Sequence, residues 1–278
     1  IGTVLNGGAD ELDMAVQAAH AAFQTWSTTG LGYRANLLLA CRKKVMEHRD
    51  ELIKICVTEA GKTIADAAAE VDKGTEGLAY GASVGSWLCS STTQNVSTGI
   101  DVVDARYPIG VVTTVSPFNF PVMIPLVQAS MALACGNTLV VKPSEKVPSA
   151  FRLIAELMHN AGVPNGVLNV VNGGREVVEA MIEHPKVAGL SFVGSTPVAK
   201  HLRIRGIEND KRVQAFGSGK NHMIVLPDAD LDMAADAAVS AAYGAAGQRC
   251  MAISVVVAVG DIGDQLVAKI AQRIPDIK

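Results

Sequence analysis

The sequence has few aromatic residues, at 4% of its 278 residues, and little charge, at 18%. It carries no surplus of either sign: 24 Lys and Arg against 27 Asp and Glu leave a net charge of −3. No long block of Lys and Arg stands out, so no nucleic-acid partner is expected. There is no CxxC, no HExxH and no zinc-like Cys/His spacing. Neither a structural metal nor a disulfide framework is therefore expected. The five cysteines are odd in number and scattered, which fits a reducing compartment, the cytoplasm or the mitochondrial matrix. No low-complexity tract is present, which excludes a disordered tail, a collagen-like fibre and a coiled coil. The chain starts at Ile1 with neither a signal-peptide pattern nor an initiator Met, so it is expected to begin inside a longer protein.

One stretch raises the membrane question. Residues 107–141 hold no charged side chain and are long enough to cross a bilayer. Pro108, Pro117, Pro121 and Pro125 interrupt the stretch, as do Asn119, Gly136 and Asn137. It reads as strand, turn, buried helix, turn, strand, and no membrane partner is expected.

What is present is apolar residues, at 49%, and 26 glycines. That composition suits an α/β protein with many tight strand–helix turns. The first ninety residues read as helices. Asp10 is a plausible N-cap for a first helix with Leu12, Val16, Ala19, Phe23 and Trp26 at helical spacing. A second helix is expected from Arg34 to Ala60, ended by Gly61, and a third from Thr63 toward Leu88. Residues 92–109 suggest an extended ribbon. From Gly110 strands and helices alternate. Strands are expected at 110–115, 138–142, 167–171, 187–193, 213–216, 223–226 and 253–259. Helices are expected at 122–134, 149–160, 177–183, from 196, and at 231–246. Such alternation means a mostly parallel, Rossmann-like sheet with flanking helices, whose ligands bind at the carboxyl ends of the strands.

Four turns at such ends hold chemistry-bearing residues. In Ser116-Pro117-Phe118-Asn119-Phe120-Pro121, Asn119 either bonds local backbone or donates to a developing oxyanion. In Val141-Lys142-Pro143-Ser144-Glu145, Lys142 is either a snorkelling side chain or a nucleotide contact sharing ribose hydroxyls with Glu145. An acidic Glu145 there disfavours a 2′-phosphate, hence NAD over NADP. In Gly194-Ser195-Thr196-Pro197, Ser195 or Thr196 caps a helix, or that helix start receives a diphosphate. No GxGxxG accompanies it, and Gly217-Ser218-Gly219-Lys220-Asn221 is not a P-loop. In Gly247-Gln248-Arg249-Cys250, the cysteine is either a buried inert thiol, as the other four are expected to be, or a nucleophile beside a cation.

Taken in this order, PFNFP, KPSE, FVGST and GQRC resemble the landmarks of the aldehyde dehydrogenase superfamily. Glu59-Ala60-Gly61-Lys62-Thr63 followed by Glu70-Val71 is similar to a stretch of that family's helical region. Lys220-Asn221-His222 before Met223–Asp230, and the run from Ala241 to Ser254, most resemble the CoA-acylating branch that acts on methylmalonate semialdehyde. Ala215-Phe216-Gly217-Ser218-Gly219-Lys220 stands where most members carry Glu-Leu-Gly-Gly-Lys, so the general base of hydrolytic members is missing there. Trp87–Val96 departs from that branch.

The resemblance implies an aldehyde dehydrogenase fold with a truncated catalytic domain. Residues 1–216 would be the NAD-binding domain, and 217–278 the start of the catalytic one. It implies Cys250 as nucleophile and Asn119 as oxyanion donor. Ser116, Phe118, Lys142, Glu145, Gly194 and Ser195 would contact NAD. Arg249 is the candidate to pair with a substrate carboxylate; a structural ion pair, or an effect on the Cys250 thiol, is the other reading. NAD, a small-molecule aldehyde and CoA as co-substrate are implied, with a homo-oligomer at full length. A hydrolytic dehydrogenase and an inactive nucleotide-binding fragment are the rival readings.

Overall fold

The computed structural model describes residues 2–277, which form two compact units divided between Gly217 and Ser218. The first unit opens with helices α1 (Ala9–Trp26), α2 (Leu31–Glu47), α3 (Arg49–Ala60), α4 (Ile64–Ala82) and the short α5 (Val84–Trp87). Several boundaries differ from the sequence expectation, among them the start of α2 at Leu31 rather than Arg34. Gly8, not Asp10, takes the N-cap place of α1, and its N–H donates to the Glu11 carboxylate at 2.7 Å. The expected second helix is two, because the backbone at His48 leaves the helical region between α2 and α3. The third ends at Ala82, before α5. Thr63 caps α4 by accepting from Asp66 N–H, and Gly61 ends α3 at φ 67°, a left-handed value that suits glycine.

Strands β1 (Ser91–Ser97) and β2 (Ile100–Asp104) then make an antiparallel, fully exposed ribbon. The alternating part follows as β3 (Val111–Val115), α6 (Met123–Ala134), β4 (Thr138–Lys142), α7 (Ser149–Asn160) and β5 (Leu168–Val170). It continues with α8 (Arg175–Glu183), β6 (Val187–Val193), α9 (Thr196–Glu208) and β7 (Arg212–Phe216). The uncharged stretch 107–141 is thus β3, α6 and the start of β4, and among the described residues no helix is long and apolar enough to cross a membrane.

The five strands pair in parallel in the order β5-β4-β3-β6-β7. Both faces are covered, which explains why the strands are almost continuously apolar. Along β4, Leu139 and Val141 point into the core shared with α2, α3, α4, α6 and α7. Val140 points to the opposite core, with residues of α1, α8 and α9.

The second unit holds β8 (Asn221–Val225), α10 (Leu231–Tyr243), β9 (Ile253–Ala258) and α11 (Gly263–Arg273), with short 3-10 turns at Gly244–Gly247 and Ile274–Asp276. β8 and β9 pair in parallel, and Val225, Ala234, Ala235, Ile262 and Leu266 form its small core. Helix α11 has no counterpart in the sequence reading, although Leu266 and Ile270 recur at helical spacing.

Candidate active site

The sheet order reverses beside β3: the chain goes outward through β4 and β5, then returns to lay β6 on the other side. A crevice forms outside the carboxyl ends of strands at such a reversal. Register places Val115 opposite both Lys142 and Phe192, so three strands end together. Ser116 N–H donates to the Lys142 carbonyl at 3.1 Å, and Gly194 N–H to the Phe216 carbonyl at 3.1 Å. The turns bearing Ser116, Phe118, Asn119, Lys142, Glu145, Gly194 and Ser195 therefore lie along one edge.

Lys142 is buried and is not a snorkelling side chain. Its ammonium donates to the Gly173 carbonyl at 2.7 Å and to the Glu145 carboxylate at 3.0 Å. It thereby ties the turn after β4 to the loop after β5. Ser116 is buried, with its Oγ 3.2 Å from Gln128 Oε1. Ser195 takes the N-cap place of α9 with extended backbone, but its hydroxyl makes no cap bond, and Pro197 stands in the first turn.

The Asn119 turn is held from outside its own sequence. The N-cap place of α6 falls to Val122, which has no side-chain acceptor. Glu70 Oε1 serves instead, accepting from Val122 N–H at 2.8 Å and Met123 N–H at 3.2 Å. Its other oxygen pairs with the Lys62 ammonium, and that ammonium lies 4.2 Å from the centroid of the Phe120 ring. The Lys146 ammonium stands 5.2 Å from the ring centroid of Phe118, the residue before Asn119. Glu59 does for α7 what Glu70 does for α6, accepting from Ser149 N–H at 3.2 Å. Glu59, Lys62 and Glu70 were missed as site residues; the only sequence signal was the segment from Glu59 to Glu70 itself.

Cys250 belongs to the second unit and is exposed. The expected helix to Ala246 stops at Tyr243, and the chain runs left-handed through Ala245 (φ 51°), Ala246 (φ 53°) and Gly247 (φ 72°). That conformation is unfavourable for alanine, and such strain gathers at functional turns. The Asn221 amide clamps the next residues, donating to the carbonyls of Cys250 and Ala252 at 3.0 Å each. Arg249 folds back on the end of α10: a Cβ built on Gly244 would stand 2.6 Å from its Cζ. Of the other cysteines, Cys41 and Cys56 are buried, and burial pushes both thiols up to about 12. Cys89 is exposed and Cys135 only half-buried, contrary to the expectation of four buried thiols.

The sequence model of the aldehyde dehydrogenase family matches residues 1–278. The chain belongs to the aldehyde dehydrogenase family. This aldehyde dehydrogenase chain is 46% identical over 268 residues to the malonate-semialdehyde dehydrogenase of Pseudomonas aeruginosa, covering 96% of the chain and 54% of that protein. A crystal structure of methylmalonate-semialdehyde dehydrogenase from Oceanimonas doudoroffii superposes with a TM-score of 0.96 at 43% identity, over 98% of the chain and 56% of the neighbour. A putative methylmalonate-semialdehyde dehydrogenase from Sinorhizobium meliloti, solved in complex with NAD, gives 0.96 at 41% identity, over 99% and 56%. The chain spans about half the length of the curated relatives it matches. The resemblance read from PFNFP, KPSE, FVGST and GQRC is confirmed, as is the parallel sheet with flanking helices.

In this aldehyde dehydrogenase chain the Glu145 carboxyl is held below the ordinary carboxylate range. Burial works against that, but a backbone hydrogen bond and the Lys142 ammonium outweigh it. A lowered folded-state pKa contributes stability above the unfolded value, about 4.3, and loses it as pH falls through the folded value. Urea unfolding from pH 6 to pH 3 is expected to show a shallower acid-side loss for Glu145→Gln than for the unmodified chain. Parallel curves would mean that the pair contributes no pH-dependent stability.

Proposed function

We propose that the chain carries the nucleotide-binding part and the nucleophile of an NAD-dependent, CoA-acylating dehydrogenase of malonate or methylmalonate semialdehyde. Residues 1–216 are assigned to the NAD-binding domain and 217–278 to the start of the catalytic domain. The observation that carries the reading is the gathering of Ser116, Lys142, Glu145, Gly194 and Ser195 on one carboxyl edge beside the strand-order reversal. The edge fits NAD. A Cβ on Gly194 would stand 2.4 Å from the Phe192 ring, and one on Gly217 2.6 Å from Thr196 Oγ1, so the backbone there has to stay bare. Lys142 and Glu145 would share ribose hydroxyls, Glu145 disfavouring a 2′-phosphate. The start of α9 suits the diphosphate, with Ser116 and Phe118 lining the same edge.

NAD, when bound, accepts the hydride that leaves the aldehyde carbon. The chain's own residues supply the rest. Cys250 attacks the aldehyde carbon as thiolate, forming a C–S bond while the carbonyl electron pair moves to oxygen. The Asn119 amide and the Cys250 backbone N–H donate to that oxyanion. Loss of hydride restores the carbonyl as a thioester on Cys250. No carboxylate stands in Ala215–Lys220 to activate water, so the CoA thiol takes the acyl group and frees Cys250. The substrate carboxylate, for which Arg249 is the proposed partner, departs as CO2 and a proton replaces it. The products are propionyl-CoA from the methylated substrate and acetyl-CoA from malonate semialdehyde.

Names of relatives support the substrate class: malonate semialdehyde for the Pseudomonas aeruginosa protein and methylmalonate semialdehyde for the Oceanimonas doudoroffii one. We further propose a homo-oligomer, supported by the apolar Val96, Val102 and Val103 exposed on the β1–β2 ribbon. The five free cysteines suit the reducing cytoplasm or mitochondrial matrix.

The test is NADH formation by the full gene product with each semialdehyde, with and without CoA. Many turnovers are expected with CoA, and about one NADH per site without it. Equal steady rates without CoA would replace this reading with the hydrolytic one. NAD binding with no NADH from either aldehyde would leave a nucleotide-binding fold without this activity.

A further inference from the structure

Lys62 and Glu70 are 7% and 2% exposed, and they form an ion pair inside the protein. Burying two charges costs free energy, and apolar residues of similar size are often at least as stabilising. Stability alone therefore does not account for the pair. Its contacts point elsewhere. Glu70 holds the N–H groups of Val122 and Met123, and Lys62 lies over the Phe120 ring. These groups lie within four residues after Asn119. Close packing adds to the hold, since Gly74 of α4 lets the Met123 backbone come so close that an added Cβ would meet its Cα at 3.2 Å. Before Asn119 the turn is pinned by Ser116 on the Lys142 carbonyl. Val122 has no capping side chain, and a carboxylate some fifty residues earlier in the chain accepts from the first N–H groups of α6.

We propose that Lys62 and Glu70 are positioning residues for the Asn119 amide: the buried pair locks residues 120–123 and so fixes the direction in which the amide donates. The inference rests on the reading of Asn119 as oxyanion donor. A displacement of about 1 Å at such a donor costs up to about 100-fold in rate. A positioning pair predicts a loss in kcat without a loss in nucleotide affinity. It also predicts that the loss vanishes once the amide is gone.

The experiment is a double-mutant cycle in the full gene product, pairing Glu70→Gln with Asn119→Ala and measuring kcat and KM with malonate semialdehyde, NAD and CoA. NAD affinity and the rate of Cys250 alkylation by iodoacetamide, which develops no oxyanion, are measured alongside. Glu70→Gln is expected to lower kcat about 10- to 100-fold. NAD affinity and alkylation should stay within about twofold, and Asn119→Ala/Glu70→Gln should be no slower than Asn119→Ala alone. Phe120→Leu, which removes only the ring under Lys62, gives the same pattern at smaller size and serves if Glu70→Gln folds poorly. Losses that multiply in the double variant, or that fall equally on NAD binding and alkylation, overturn the proposal and leave a structural ion pair. Full activity in Glu70→Gln and Phe120→Leu overturns it as well. An unchanged kcat in Asn119→Ala would instead refute the oxyanion reading itself, whatever Glu70→Gln does.

Discussion

Replacing Cys250 by serine is expected to lower aldehyde-dependent NADH formation by at least about 10⁴-fold, with NAD affinity unchanged. Sulfur is intrinsically a far stronger nucleophile than a serine hydroxyl, which needs a base that Ala215–Lys220 does not offer. The buried cysteines are poor substitutes, and burial also raises the thiol of the half-buried Cys135. Cys41 and Cys56 are buried with thiols near 12, so their thiolate fraction at pH 7 is ~10⁻⁵. Cys89 is exposed but sits just after α5, its Sγ 3.4 Å from the Ser86 carbonyl. Cys89→Ser is the control and is expected to leave the rate unchanged. A Cys250→Ser enzyme within about tenfold of the unmodified rate would remove the nucleophile from the proposed mechanism.

The second large effect is on folding. Gly166→Ala is expected to cost about 2–5 kcal/mol, adding the left-handed penalty of an L side chain to local overpacking. Gly166 has φ 81°, and a Cβ there would lie 2.6 Å from the Ala18 carbonyl oxygen and 3.0 Å from Ala22 Cβ. The first of those atoms is backbone of α1, which cannot rotate away as a side chain would. Helix α1 contributes Leu12, Val16 and Ala19 to the core under β3, β4 and β6, so displacing it disturbs the sheet that carries the nucleotide edge. At about 2–4 °C per kcal/mol for a unit of this size, Tm should fall by ~5–20 °C in a thermal scan. Gly32→Ala is the contrast. It lies in α2 with open space around it and should raise stability by up to about 1 kcal/mol. A Tm for Gly166→Ala within about a degree of the unmodified chain would mean that α1 shifts freely.

Much of this protein was legible without coordinates. The bounds of β4, α7 and β6 match the sequence reading, because an apolar run bounded by Gly, Pro and Asn determines a buried strand, and a 3.6-residue period a helix. The four turns were located by residue type alone, and their order sufficed to point to the family. Errors fell where local signals compete. A continuous apolar period hid the break at His48, and alanines of high helix propensity extended α10 past Tyr243 into left-handed backbone.

What only the tertiary structure decided is what each polar side chain does. Lys142 at the end of an apolar strand could have reached solvent; the loop after β5 brought the Gly173 carbonyl to it instead. Val122 could not cap α6, and nothing near it in sequence showed that Glu70 would. Periodicity reports which face of an element is buried, since burial depends on local spacing. The partner of a buried charge is set by how separate elements meet, through contacts between residues far apart in the chain. For Glu70 that meeting is α4 against α6, made possible by the bare backbone of Gly74, Gly77 and Gly81.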